Sequence, residues 1–143
     1  MSIIFWSNEY SSKIDEVDNQ HKVLIQIIDD LYIAIKKGEQ RAIQNDLLFR
    51  LINYIHYHFD YEEILMEQYK YSELDRHKIE HQNLTTRVLD YYKDVKTHNS
   101  DISTELLIFL KDWLNNHILL TDKKMGYWIT DNIQILNKNT TIL

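Results

Sequence analysis

The chain has no cysteine, no proline and only two glycines, Gly38 and Gly126, in 143 residues. Without cysteine there can be no disulfide, thiolate metal site, iron–sulfur cluster or cysteine nucleophile, so any bound metal must take nitrogen and oxygen donors. Proline and glycine are the strongest breakers of a helix, and their scarcity favours an all-helical protein with few tight turns. No stretch reaches the roughly 18 consecutive apolar residues of a membrane span. Basic runs are missing too: the formal charge is −6 and Lys and Arg form no patch, which argues against nucleic acid. The leading MSIIFWSNEY shows no charged leader, long apolar stretch or small-residue cleavage site, so a cytoplasmic protein free of the membrane is expected.

Amphipathic periodicity is plentiful. A chain of this length is most simply one domain with a real core. Residues 1 to about 17 lack a helical period and read as an arm, anchored by Phe5 and Trp6. From Asp18, a good capping residue, a stripe of Val17, His21, Leu24, Ile28, Leu31 and Ile35 runs to Gly38. A second helix covers about 40 to 69, with Leu47, Leu51, Ile55, His58, Glu62, Leu65 and Tyr69 on one face. Ser72 is the expected cap of a third, whose stripe is Leu74, His77, His81, Leu84, Val88 and Val95. After a break at His98–Asp101, a fourth carries Leu106, Leu110, Trp113, His117 and Leu120 in register and continues through Asp122 to Trp128. The tail from about 137 to 143 reads as loose. Four such helices joined by short breaks give an all-α, antiparallel up-down-up-down four-helix bundle with an N-terminal arm.

Seven residues interrupt these apolar stripes with metal-binding chemistry: His21, His58, Glu62, His77, His81, His117 and Asp122. His58 and Glu62, like His77 and His81, are four apart. That leaves their side chains about 40° apart around a helix and one turn apart along it, so both members of a pair reach one centre. Buried without partners, each polar group would cost roughly 1–3 kcal/mol or more, a cost that a metal ion removes by using the lone pairs. A lone inward histidine is more often a hydrogen-bonded core residue than a ligand. Seven donors on four inward stripes are a different matter. His56, about 200° round the helix from His58, and His98, in a break, stand outside the pattern and read as surface histidines. His117 and Asp122 are five apart, about 140° on an α-helix, so the fourth helix must loosen near Leu120 by a π-type turn.

The runs IDEVDNQHKVL (14–24), HFDYEEILM (58–66), HKIEH (77–81) and WLNNHILLTD (113–122) resemble the hemerythrins, particularly the single-domain bacterial ones. The resemblance covers nearly the whole chain with all seven ligand positions filled. It implies two iron ions, Fe2+ or Fe3+, one held by His77, His81 and His117 and the other by His21 and His58. Glu62, Asp122 and a solvent-derived oxo or hydroxo group would bridge them. The second iron, with one protein ligand fewer, keeps an open position where the family binds O2. Phe59, Trp113 and Ile118, with Leu114 beside them, would line the oxygen pocket and exclude water.

The activity so implied is reversible oxygen binding, for carriage or storage, without net catalysis. Two other readings stand beside it: oxygen or nitric-oxide sensing through a separate partner, and a weak diiron peroxidase or oxidase. The second is disfavoured by the absence of any Glu-x-x-His motif of the ferritin-like kind. A monomer is expected, with O2 as ligand and room for an unidentified protein partner.

Overall fold

In the computed structural model, residues 4–141 are described as backbone and their side chains through Ile133. Four helical rods run antiparallel and account for nearly the whole chain: α1 (Asp15–Lys37), α2 (Gln40–Gln68), α3 (Leu74–His98), and a composite fourth rod. The last comprises α4 (Ser103–Trp113), a π-helical segment (Leu114–Asp122) and α5 (Lys123–Thr141). A single 3-10 turn, Asn8–Tyr10, precedes them. The connectors are two to five residues long, which leaves successive helices no choice but to pack side by side in opposite directions. No described helix is long and apolar enough to cross a membrane.

The breaks have local causes. Gly38 closes α1 at φ 70°, a left-handed backbone that glycine takes without penalty, and its N–H reaches back to Ala34 and Ile35. Asn99 ends α3 in the same region at φ 52°. Buried Gln44 then fastens the 99–102 connector. Its amide nitrogen donates to Ser100 O at 2.8 Å, and its oxygen accepts from Ile102 N at 3.4 Å.

Several local expectations need correction. Helix α1 begins at Asp15, three residues before Asp18, and Asp18 caps nothing ahead of it. Its carboxylate instead accepts from Ser12 N, Ser12 Oγ and Ser11 Oγ, each at 2.8 Å, so a residue in the first helical turn ties down the arm. Ser72 is not the cap of α3; Glu73 holds that position, without a side-chain hydrogen bond. His98 is the last residue of α3 rather than part of the break. Trp6 stacks on Tyr10 and packs on the core, but Phe5 is 75% exposed and anchors nothing. The backbone stays helical through Thr141 across most of the expected loose tail, since nothing after Gly126 is a strong helix breaker; residues 142 and 143 lie outside the described residues.

The core divides into two clusters. A large one joins Leu24–Leu31 of α1, Leu47–Phe59 of α2, Leu84–Val95 of α3 and Leu106–Ile118 of the fourth rod. A small one gathers Val17, Met66, Tyr71, Met125 and Ile129. On every rod the metal-type residues fall at the boundary between them, so the polar layer is sealed by apolar side chains at both ends.

Gly126 lies inside α5, where a Cβ would run into the backbone carbonyl of Ser12. Gly126 is therefore a close-approach site, not a break. Gly126→Ala should lower stability by about 1–3 kcal/mol, because the clash is with backbone that Asp18 has fixed. Chemical denaturation of the two proteins checks this; an unchanged midpoint would show that the arm moves aside freely.

Candidate metal centre

Each rod delivers donors to one layer. α1 supplies His21; α2 supplies His58 and Glu62; α3 supplies His77 and His81; the π segment supplies His117 and Asp122. All seven are 2% exposed or less. The π segment resolves the awkward spacing of the last pair, because its i→i+5 bonding brings residues five apart onto one side of the rod. The loosened stretch runs over Leu114–Asp122, wider than one turn, and both donors lie inside it.

The contacts divide cleanly. Glu62 Oε1 faces His81 Nε2 at 3.0 Å and His77 Nε2 at 3.6 Å, while Oε2 faces His58 Nε2 at 3.4 Å and His21 Nε2 at 3.7 Å. Asp122 Oδ1 faces His77 Nε2 at 2.8 Å and His117 Nε2 at 2.9 Å, and its Oδ2 faces His21 Nε2 at 2.9 Å. Each carboxylate therefore turns one oxygen to one set of imidazoles and the other oxygen to the second set. Two donor groups result, within which the ligand atoms lie no more than 4.8 Å apart: Glu62, His77, His81, His117 and Asp122, and then His21, His58, Glu62 and Asp122.

These atoms are close, yet they are not lined up along hydrogen bonds. Both oxygens of Glu62 and of Asp122, and Nε2 of His21, His77, His81 and His117, are buried without a hydrogen-bond partner. So many orphaned lone pairs aimed at shared spaces fit metal ions better than a hydrogen-bonded core. Borderline imidazole nitrogens with hard carboxylate oxygens suit iron, and the absence of sulfur matches.

The electrostatics of the metal-free layer agree. Burial works against charge on His21 and His77, but the adjacent Asp122 and Glu62 carboxylates overcome it and raise His21 to about 9 and His77 to about 10. His117 is raised by the same carboxylates and by Glu80 against its burial. His58 goes the other way, to about 4, because burial outweighs the attraction of Glu62. Burial would raise the pKa values of Glu62 and Asp122, yet the imidazoles around them hold both well below the usual carboxylate range.

Sequence reasoning did not identify Gln20, Glu63 and Glu80, which stand behind the ligand rings. Gln20 Oε1 accepts from His58 Nδ1 at 2.6 Å, and Glu63 Oε2 accepts from His81 Nδ1 at 3.0 Å, fixing Nε2 as the nitrogen that faces the centre. The one available signal was adjacency, since each of the three sits immediately beside a ligand-type residue in the chain. Tyr54 was missed as well; it stacks on His58 at 5.1 Å, one turn earlier on α2. Of the expected pocket residues, Phe59 stacks on His81 at 3.7 Å and Trp113 on His117 at 4.0 Å, with Phe59 and Trp113 6.0 Å apart. Ile118 and Leu114 are buried in the same cluster. His56 is exposed beside Asp60, and His98 is exposed beside Asp94.

Fold and donor set together define a helical-bundle protein built around a buried, nitrogen-rich site for two metal ions. The family profile described as the hemerythrin HHE cation binding domain matches residues 12–129, and the chain belongs to the hemerythrin family. A bacteriohemerythrin of Stenotrophomonas maltophilia is 33% identical, over 82% of this chain and 76% of its own length. One from Methylococcus capsulatus is 29% identical, over 88% and 96%. The solved structure of a wild-type hemerythrin superposes with a TM-score of 0.80 at 28% identity, covering 87% of this chain and 96% of that one.

The titration of the layer gives an expected pH dependence. His21 and His77 are raised, so their contribution to metal-free stability is complete below about pH 6.5 and is lost as pH rises through about 9 and about 10. His58 is lowered, so stability also falls as pH drops from 6.5 toward about 4. Metal-free protein should melt highest between these limits, and the alkaline fall should be absent in iron-loaded protein, where ions replace the protons. Melting curves of both forms at pH 5, 7.5 and 10 check this; parallel profiles would contradict it.

Proposed function

We propose that this protein binds dioxygen reversibly at a diiron centre, as a carrier or store rather than as a catalyst. The observation that carries the reading is the division of seven buried donors into a five-member and a four-member group sharing Glu62 and Asp122. His77, His81 and His117 would hold one iron and His21 and His58 the other, with Glu62 and Asp122 available to both. The half with one protein donor fewer would have room for a small ligand. Iron supplies the electrons that oxygen takes up on binding and returns on release.

The remaining residues protect this exchange. Phe59, Trp113 and Ile118, with Leu114, keep water and stray protons from the bound gas. Phe59 and Trp113 also press flat against ligand rings, so trimming them loosens the wall without removing a donor. A set of five imidazoles against two carboxylates supports holding oxygen over cleaving it, since oxygen-activating bundle sites are richer in carboxylate. The Stenotrophomonas and Methylococcus relatives are named bacteriohemerythrins, which supports the same assignment. The reading extends to a monomer in the cytoplasm, in keeping with a net charge of −6 that opposes self-association.

Purified protein should carry two irons per chain. His58→Ala or Glu62→Ala should lose the centre, because a donor or bridge goes while the others stay buried. His56→Ala should lose nothing, its side chain being 84% exposed. Metal analysis of the variants decides this, and equal iron loss in the His56 and His58 variants would overturn the ligand assignment.

Reduced protein exposed to oxygen should develop a visible absorption band that vanishes when the gas is removed. Ile118→Ala and Trp113→Ala should keep both irons and shorten the life of the oxygenated form severalfold. Irreversible consumption of oxygen by the wild type on each exposure would defeat the carrier reading. Unchanged lifetimes in both variants would remove the protective role given to the wall.

A further inference from the structure

Behind the nitrogens that face the carboxylates, the histidines are not backed alike. In the three-histidine group, His81 Nδ1 lies 3.0 Å from Glu63 Oε2, and His117 Nδ1 lies 3.6 Å from Glu80 Oε2. In the two-histidine group, His58 Nδ1 donates to an amide oxygen, that of Gln20, at 2.6 Å. The Gln20 amide has a fixed sense, because its nitrogen donates to Glu16 Oε1 at 3.1 Å and leaves the oxygen for the ring. Glu80 is held by Thr121 Oγ1 at 3.2 Å. His21, His77 and His117 have no hydrogen-bond partner at Nδ1 among the described residues, so Glu80 faces His117 as a nearby charge only. Two carboxylates therefore stand behind one half of the centre and a neutral amide behind the other.

We propose that this uneven backing decides which iron gives up its electron first: Glu63 and Glu80 make the three-histidine half the more easily oxidised, and Gln20 keeps the two-histidine half ferrous to higher potential. The inference rests on the diiron reading above and deepens it. Two effects act in the same direction. A carboxylate is a stronger acceptor than an amide, so it draws the Nδ1 proton and makes the opposite nitrogen a more basic ligand. It also places a full negative charge one ring away from the ion, which favours the ferric over the ferrous state. Glu63 acts through both, being within hydrogen-bond reach; Glu80, at 3.6 Å, acts by its charge. Their side chains are 27% and 36% exposed, so water weakens the effect without cancelling it. On oxidation each iron loses one electron to the electrode, and no bond in the protein forms or breaks. Glu63, Glu80 and Gln20 are positioning residues, since each acts through a ring and none faces the shared space.

The test is anaerobic spectroelectrochemistry of iron-loaded protein, with the iron content of every variant measured first. The wild type should oxidise in two separate one-electron steps. Glu63→Gln should raise the lower step and leave the upper one in place, changing the ferric-to-ferrous ratio at fixed potential by about tenfold, which is 59 mV for one electron. Gln20→Glu should lower the upper step instead, and Glu63→Asp should recover most of the wild-type value. In zinc-loaded protein, which has no redox chemistry, the Nδ1 proton resonance of His81 should move upfield in Glu63→Gln while that of His58 stays still. The proposal is overturned if Glu63→Gln binds two irons with both steps unmoved or moved together, or if the His81 resonance does not respond. It is equally overturned if Glu63→Gln loses its iron and Gln20→Glu, still binding two, leaves the upper step in place. Fewer than two irons in the wild type would sink the diiron reading itself.

Discussion

Two carboxylates with no exposure to water, Glu62 and Asp122, meet five imidazoles in the middle of the bundle, and the rest of the structure serves that meeting. Isolated ionised carboxylates at such depth are prohibitively costly. Here every oxygen faces at least one ring nitrogen, so positive charge is at hand whether it comes as protons or as metal ions. The four rods must hold their register within fractions of an ångström for this to work. The apolar clusters on either side of the layer supply that register, and the short connectors and the Gln44 clamp prevent the helices from sliding.

Much of the donor layer was legible because the facing of residues on a helix obeys simple arithmetic. Pairs four apart on an apolar stripe, such as His58 with Glu62 and His77 with His81, cannot avoid facing the core together. The five-residue step from His117 to Asp122 was informative because it violated that arithmetic, and the π segment is the structural answer. His56 was separable from His58 for the same reason. Four helices and their order followed from periodicity and from the scarcity of glycine and proline.

What escaped was everything whose role depends on a neighbour across the bundle. Glu63 looks like one more surface acid beside Glu62, and only the approach of α3 gives it His81 to hold. Gln20 is likewise an ordinary polar residue until α2 brings His58 to it. Asp18 has the chemistry of a helix cap but sits in the first turn, where it holds the arm through Ser11 and Ser12. Gly126, inside the run read as the fourth helix, proves to be the space into which the Ser12 backbone fits. In each case the side chain has the expected chemistry, and the partner is set by tertiary packing.

The π segment has one more consequence, for the kinds of genetic change this chain can survive. Over Leu114–Asp122 the rod is spaced i→i+5, so the alignment of His117 with Asp122 is encoded by the number of residues between them rather than by their identity. Deleting any one of the four intervening residues would return the pair to ordinary α-helical spacing. An α-helix would then keep the two on one face and leave Met125 and Ile129 on the small apolar cluster, because the lost residue and the lost loosening offset each other. Leu120, expected on the inward stripe, is 64% exposed, so substitutions there change surface alone. A single added codon beside it would instead leave His117 and Asp122 six apart and turn the metal layer and the small apolar cluster out of register at once.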